Sequence, residues 1–224
     1  MPSPCHFCHV VLCRMWDMDI IMRDLSLHIL DIVQNSLKAN ATEIRVHIGE
    51  KDDNKSLALE INDNGNGMES DFVTRVDDPF TTTRTTRKIG LGIPLLKASA
   101  LKCEGKFEIY SKKNIGTKVF ATFSINHIDR LPIGDIGSTM ITLITANPEI
   151  QFVLLLESRN GRFELDTEEI KRTLNGDVTE STEGVNKSQN CVSINEFAVI
   201  QWLKEYIDEA IKNIFGGVLN EVDS

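Results

Sequence analysis

Between Leu25 and Lys38 the apolar residues recur at three- and four-residue spacing, so Leu25, Ile29, Ile32, Val33 and Leu37 fall on one stripe of an amphipathic helix. The period then changes to two. Ile44, Val46 and Ile48 alternate with polar residues, as do Leu57, Leu59 and Ile61, which predicts two strands joined around Asp52-Asp53-Asn54. The stretch DDPFTTTRTTRK has no apolar period and reads as a loop. IGLGIPLLKASALKCEG predicts a second helix, opened by glycine and closed by Gly105 as a C-terminal cap, and GKFEIYS and TKVFATFSI follow as strands. The order to this point is α-β-β-loop-α-β-β. Beyond His127 come a Pro132-led helix through DIGSTMITLITAN, a hairpin turning at Asn160-Gly161, and a short helix from Thr167. NGDVTESTEGVNKSQN is almost devoid of apolar residues and reads as a linker. It leads to a last helix, from about Asn195 to Phe215, with Phe197, Ile200, Leu203, Ile207 and Ile211 at helical spacing.

Composition narrows the classes. The chain has 224 residues, 41% of them apolar, which is enough for a real core in one domain with extensions or in two small ones. Its net charge of −9 argues against nucleic acid as a general partner. No apolar run approaches the ~20 residues of a bilayer span, so a membrane is not expected as a partner. The first residues have neither a basic start nor a long apolar block, so they do not resemble a secretion signal and the cytoplasm is the expected location. Five scattered cysteines suit a reducing compartment. Three of them crowd the N-terminal tail, where Cys5-His6-Phe7-Cys8-His9 spells a c-type haem attachment and Cys5, Cys8, His9 and Cys13 could instead bind zinc. A mobile tail with exposed thiols, or translation starting at Met18 or Met22, accounts for the same residues without a metal.

Three segments carry candidate chemistry. On the first helix Asp31, Asn35 and Lys38 lie four and three residues apart, beside the apolar stripe, and set an acid, an amide and an ammonium along one lip. A solvated helix face would have the same pattern. Asp63-Asn64-Gly65-Asn66-Gly67-Met68 ends a strand, where a carboxylate accepts hydrogen bonds and the glycines admit close approach to backbone, as an ordinary turn also would. Gly90-Leu91-Gly92 opens a helix behind Arg84, Arg87 and Lys88, and N–H groups at a helix N-terminus attract phosphate.

In this order the segments resemble the GHKL ATPase superfamily of gyrase-type topoisomerases, heat-shock chaperones, histidine kinases and mismatch-repair MutL proteins. DIVQNSLKANATEI resembles the N-box helix, DNGNGM the first glycine box, IGLGI the second, and Gly116-Thr117 with its strand the last. The resemblance covers roughly residues 23–126 and is nearest to the histidine-kinase-like ATP-binding domain. It implies an α/β two-layer sandwich, with helices on one face of a mixed, mainly antiparallel sheet, and ATP bound between the N-box helix and the lid loop. Carried over by position, Asn35 would coordinate Mg²⁺, Asp63 would bond the adenine amino group, and Gly65 and Gly67 would shape the adenine pocket. Gly90 and Gly92 would cradle phosphate, Thr117 would support adenine, and Arg84, Arg87 and Lys88 would be lid cations. Lys38 matches the N-box lysine of histidine kinases. Asp31 stands where hydrolytic and serine-kinase members carry a glutamate base, and is one methylene shorter.

The expected organisation is a tail (1–22), an ATP-binding domain (23–127), a small C-terminal α/β extension (128–175), a linker (176–193) and a C-terminal helix (194–216). With about 22 residues ahead of the N-box helix, the phosphoacceptor hairpin of a self-contained histidine kinase is not expected here, and His28, a turn before Asp31, is expected to be packed or solvated. The arms of gyrase and MutL are not discernible. The resemblance therefore implies a Mg²⁺·ATP-binding protein that phosphorylates a partner protein in trans. Its rivals are an ATPase with Asp31 as base, used as a conformational switch with lid closure and optional homodimerisation, and a nucleotide-sensing module whose C-terminal helix binds a partner.

Overall fold

The computed structural model describes residues 22–51, 55–69, 92–175 and 192–216. Helix α1 (Leu25–Lys38) begins where Asp24 accepts the Leu27 amide at 3.0 Å, an N-cap that the aspartate side chain supplies. It is followed by β1 (Glu43–Lys51), β2 (Ser56–Asp63), α2 (Gly92–Lys102), β3 (Phe107–Lys112) and β4 (Gly116–Ser124). The remaining elements are α3 (Ile136–Ala146), β5 (Gln151–Ser158), β6 (Gly161–Asp166), α4 (Thr167–Asn175) and α5 (Phe197–Phe215).

All six strands form one sheet in the order β3-β4-β2-β1-β5-β6. Four of the neighbouring pairs are antiparallel, and β1 with β5 is parallel, so the sheet is mixed and mainly antiparallel, as expected. Residues 128–175 thus supply two strands of the sheet that holds β1 to β4. Strand alternation puts Ile44, Val46 and Ile48 with Leu57, Leu59 and Ile61 on one face, joined by Val119, Ala121 and Phe123 and by Phe152, Leu154 and Leu156. That face shares a continuous apolar core with buried residues of α1, α2, α3 and α5. The opposite face is polar: Glu60 pairs with Lys118 at 2.8 Å, His47 lies 3.4 Å from Glu157, and Lys51 sits over the Phe120 ring.

Three local details depart from the sequence reading. Pro132 precedes α3 without entering it, because Asp135 caps the Ser138 amide at 2.8 Å and starts the helix; the Pro132 carbonyl instead accepts the Leu25 amide. The left-handed residue that ends α2 is Glu104, at φ 56, and Gly105 follows it, donating to the Ala100 carbonyl while Glu104 donates to Leu101. Gly105 is required for another reason, since a Cβ there would lie 1.6 Å from the Thr122 carbonyl oxygen on β4. In α5 the buried stripe is Val199, Leu203, Ile207, Ala210 and Ile214, and Phe197 is 81% exposed. The buried set repeats every three or four residues, whereas Phe197 is the helix's first residue. The 52–54 turn and most of the 176–193 linker lie outside the described residues, as does the Cys5–Cys13 tail.

Candidate functional site

Asp63 closes β2, directly opposite Thr117 on β4 and Ile44 on β1. Its side chain points to the helix-covered face, in line with Leu59 and Ile61, and both oxygens are engaged. Oδ1 accepts the Gly65 amide at 2.9 Å and the Thr117 amide at 3.2 Å, and Oδ2 accepts the Ser36 hydroxyl at 2.7 Å. One carboxylate therefore ties together α1, the loop after β2 and the start of β4, the three segments that the sequence reading had connected only by analogy. Ser36, missed by that reading, is 4% exposed and stands where the α1 stripe continues four residues after Ile32. A polar residue in an apolar stripe needs a buried partner, and that was the available signal.

The glycines of the loop are needed for chain packing. A Cβ on Gly65 would lie 2.8 Å from the Ala39 carbonyl oxygen. Gly67, at φ +60, passes so close to Lys112 that a Cβ would overlap its carbonyl. Ser111 was missed as well. Its Oγ accepts the Met68 amide at 2.8 Å, lies 2.9 Å from Thr117 Oγ1, and lies 3.1 Å from the Gly116 carbonyl oxygen. At this end of the sheet a cleft of about 290 Å³ opens beside Asp63, Ser111 and Thr117; Asn62, Tyr110 and Lys118 line it from the polar face.

On α1, Asp31 and Asn35 are half-buried one turn apart, and Lys38 is exposed in the last turn. Asp31 reaches across to α2, where its Oδ2 accepts the Gly92 amide at 3.1 Å. A Cβ on Gly92 would lie 2.2 Å from that same oxygen, so the contact requires glycine. Beneath it His28 is 1% exposed, and neither ring nitrogen has a hydrogen-bond partner among the described residues. Burial pushes its imidazole below the usual histidine range against the opposing pull of the Gly92 backbone, Asp24 and Asp31. It is packed, as expected. Arg84, Arg87, Lys88 and Gly90 lie outside the described residues.

Among the described residues no cluster of three or more His, Cys, Asp or Glu could hold a metal, and no helix is long and apolar enough to cross a membrane. Asn35 is half-buried one turn after Asp31 on α1, and its side-chain amide carries an oxygen of the hard type. An oxygen of that type fits a hard cation such as Mg²⁺.

Residues 22–127 match the family model described as histidine kinase-, DNA gyrase B-, and HSP90-like ATPase. A probable C4-dicarboxylate sensor kinase of Halalkalibacterium halodurans is 33% identical over 109 residues, covering 49% of this chain and 19% of that protein. The sensor protein kinase FleS of Pseudomonas aeruginosa is 40% identical over 60 residues, covering 26% of this chain and 14% of that protein. The chain thus spans less than a fifth of the length of these relatives. Among solved structures, the Aquifex aeolicus MutL ATPase domain complexed with ADP aligns over 79% of this chain and 85% of that one, at 16% identity and a TM-score of 0.40. Over residues 22–127, nearly half of its length, the chain is therefore similar to the histidine kinase-, DNA gyrase B- and HSP90-like ATPases.

Proposed function

We propose that this chain binds Mg²⁺·ATP at the end of β2 and passes the γ-phosphate to a partner protein. The observation that carries this reading is the threefold anchoring of Asp63, which fixes a carboxylate at the junction of α1, the glycine loop and β4. A carboxylate so held is an acceptor of defined direction, suited to the amino group of adenine. Thr117 lies beside it, and its hydroxyl supports the base. Gly65 and Gly67 bring the loop backbone against α1 and β3 and so shape the wall of the pocket.

Toward the phosphates, Asn35 supplies the cation ligand, Lys38 a cation at the end of α1, and Gly90 and Gly92 the backbone cradle, the Gly92 amide exchanging Asp31 for phosphate as the nucleotide enters. Arg84, Arg87 and Lys88 complete the charge neutralisation from the preceding segment. Mg²⁺, when bound, neutralises charge on the phosphate oxygens, and the chain's part is positioning and electrostatics, which dominate phosphoryl transfer. The acceptor side chain, His or Ser, comes from the partner. Slow hydrolysis used as a conformational switch is the second reading. It is favoured by the Asp31 carboxylate at the Gly92 amide, where a base would meet the terminal phosphate.

ATP binding and turnover with Mg²⁺ by the wild type and by Asp63→Asn and Asn35→Ala variants test the proposal, with free and protein-bound phosphate both followed. Loss of binding in Asp63→Asn and of Mg²⁺-dependent binding in Asn35→Ala is expected. A wild type that binds no ATP overturns the reading. Release of free phosphate by the chain alone favours the switch, and phosphate appearing on an added partner favours the kinase.

A further inference from the structure

A carboxylate offers about four acceptor positions, two on each oxygen. In Asp63, Oδ1 accepts two amides, from Gly65 and Thr117, and is saturated. Among the described residues Oδ2 accepts only the Ser36 hydroxyl, so the position that these residues leave open on this carboxylate lies on the oxygen that Ser36 holds. Ser36 Oγ also lies 3.3 Å from the Ile32 carbonyl oxygen, the ordinary back-bond of a helical serine, but the 2.7 Å contact with Asp63 is the shorter. Its one proton therefore goes to the charged acceptor, and a hydrogen bond to a charged group is about twice as strong as a neutral one.

We propose that Ser36 is the specificity-determining residue of the base pocket: by holding Oδ2 of Asp63 it turns the one remaining acceptor position toward an incoming exocyclic amino group and so selects a 6-aminopurine. This deepens the ATP reading above and rests on it. Three properties of the site make the selection strict. Ser36 is 4% exposed, so water does not readily replace its hydroxyl. Both backbone donors sit on the other oxygen, which fixes the rotation of the carboxylate about its Cβ–Cγ bond. With both oxygens acceptor-only, a purine with a carbonyl at position 6 meets a like dipole and is rejected. Ser111 complements the selection without setting it. Its hydroxyl proton can go to the Gly116 carbonyl or to Thr117 Oγ1, and in the second arrangement the Thr117 proton is free to point at a ring nitrogen.

The test pairs one protein change with one ligand change. Dissociation constants of ATP and of purine riboside triphosphate, which lacks the amino group, are measured with Mg²⁺ for the wild type and for Ser36→Ala. Alanine is the best helix former and removes only the hydroxyl, and a thermal melt checks that the variant is folded. The expected result is that Ser36→Ala weakens ATP about tenfold and purine riboside triphosphate no more than about twofold, so that the preference for the amino group collapses. Equal weakening of both nucleotides, which a merely structural role would give, overturns the proposal, as does unchanged affinity for both. A wild type that binds neither nucleotide overturns the ATP reading and this inference with it. A wild type that binds ATP, with no coupling between Ser36 and the amino group, overturns the inference alone.

Discussion

His28 sets a pH dependence that is independent of any ligand. Its imidazole is 1% exposed, has no hydrogen-bond partner among the described residues, and is held by burial below the ordinary value of 6.5. A group with a depressed folded pKa stabilises the fold fully above its unfolded value, and that contribution is lost as the pH falls from there toward the folded value, because the unfolded chain takes up the proton first. The urea midpoint should therefore fall as the pH drops from about 7.5 to about 5, and His28→Leu should flatten the slope. An equally steep slope in the variant would assign the dependence to other groups. Gly92 is the second residue with a sharp expectation. A methyl group there would displace Asp31 Oδ2 and strip the amide of its acceptor, so Gly92→Ala should cost about 1–3 kcal/mol in urea unfolding. Because both changes break one contact, adding Asp31→Ala should cost less than the sum of the two single changes.

At the level of elements, α5 separates core from surface along one helix. Leu203 is fully buried, whereas Trp202 is 49% exposed and stacks on Tyr206 at 5.1 Å, with Tyr206 in turn edge-on to Phe163 at 5.0 Å. Leu203→Ala should cost about 2–5 kcal/mol and Trp202→Ala about 1 kcal/mol or less, both read from denaturant midpoints. The helix was legible from its period, and of its buried face Leu203 and Ile207 were legible while Val199, Ala210 and Ile214 were not. Phe197, Ile200 and Ile211 fit a stripe almost as well as Val199, Ala210 and Ile214, and the choice is made by what packs against the helix. The same limit explains the site. Asp63, Asn35 and the glycines announced themselves through residue type and spacing, whereas Ser36 and Ser111 are common residues whose roles arise only when α1 and β3 are brought to the end of β2.

For the whole molecule, alternation marked β1 and β2 with a face for each, but not their neighbours. That β5 pairs with β1 in parallel is invisible in either strand alone, because a half-buried pattern states that a partner is needed and is silent about which. The consequence is that residues 23–127 leave β1 without a neighbour on one side. A fragment ending at residue 127 should therefore be recovered largely as aggregate, and co-expression with residues 128–224 should restore soluble material, measured by size-exclusion chromatography. A soluble, ATP-binding 1–127 fragment would show that β5 is dispensable.

The β1–β5 pairing also sets a timetable. On the order of a hundred residues separate Glu43 from its partner Gln151, so the contact closes a long loop and belongs to the slow class of folding events. During synthesis at roughly 5–20 residues per second, the β1 edge waits several seconds or more for β5 to be made. The cleft at the end of β2 is lined by residues made before β5, but the sheet that carries it keeps a bare β1 edge until β5 arrives, and in that interval the nascent protein is a client for whatever shields bare strand edges in the cell.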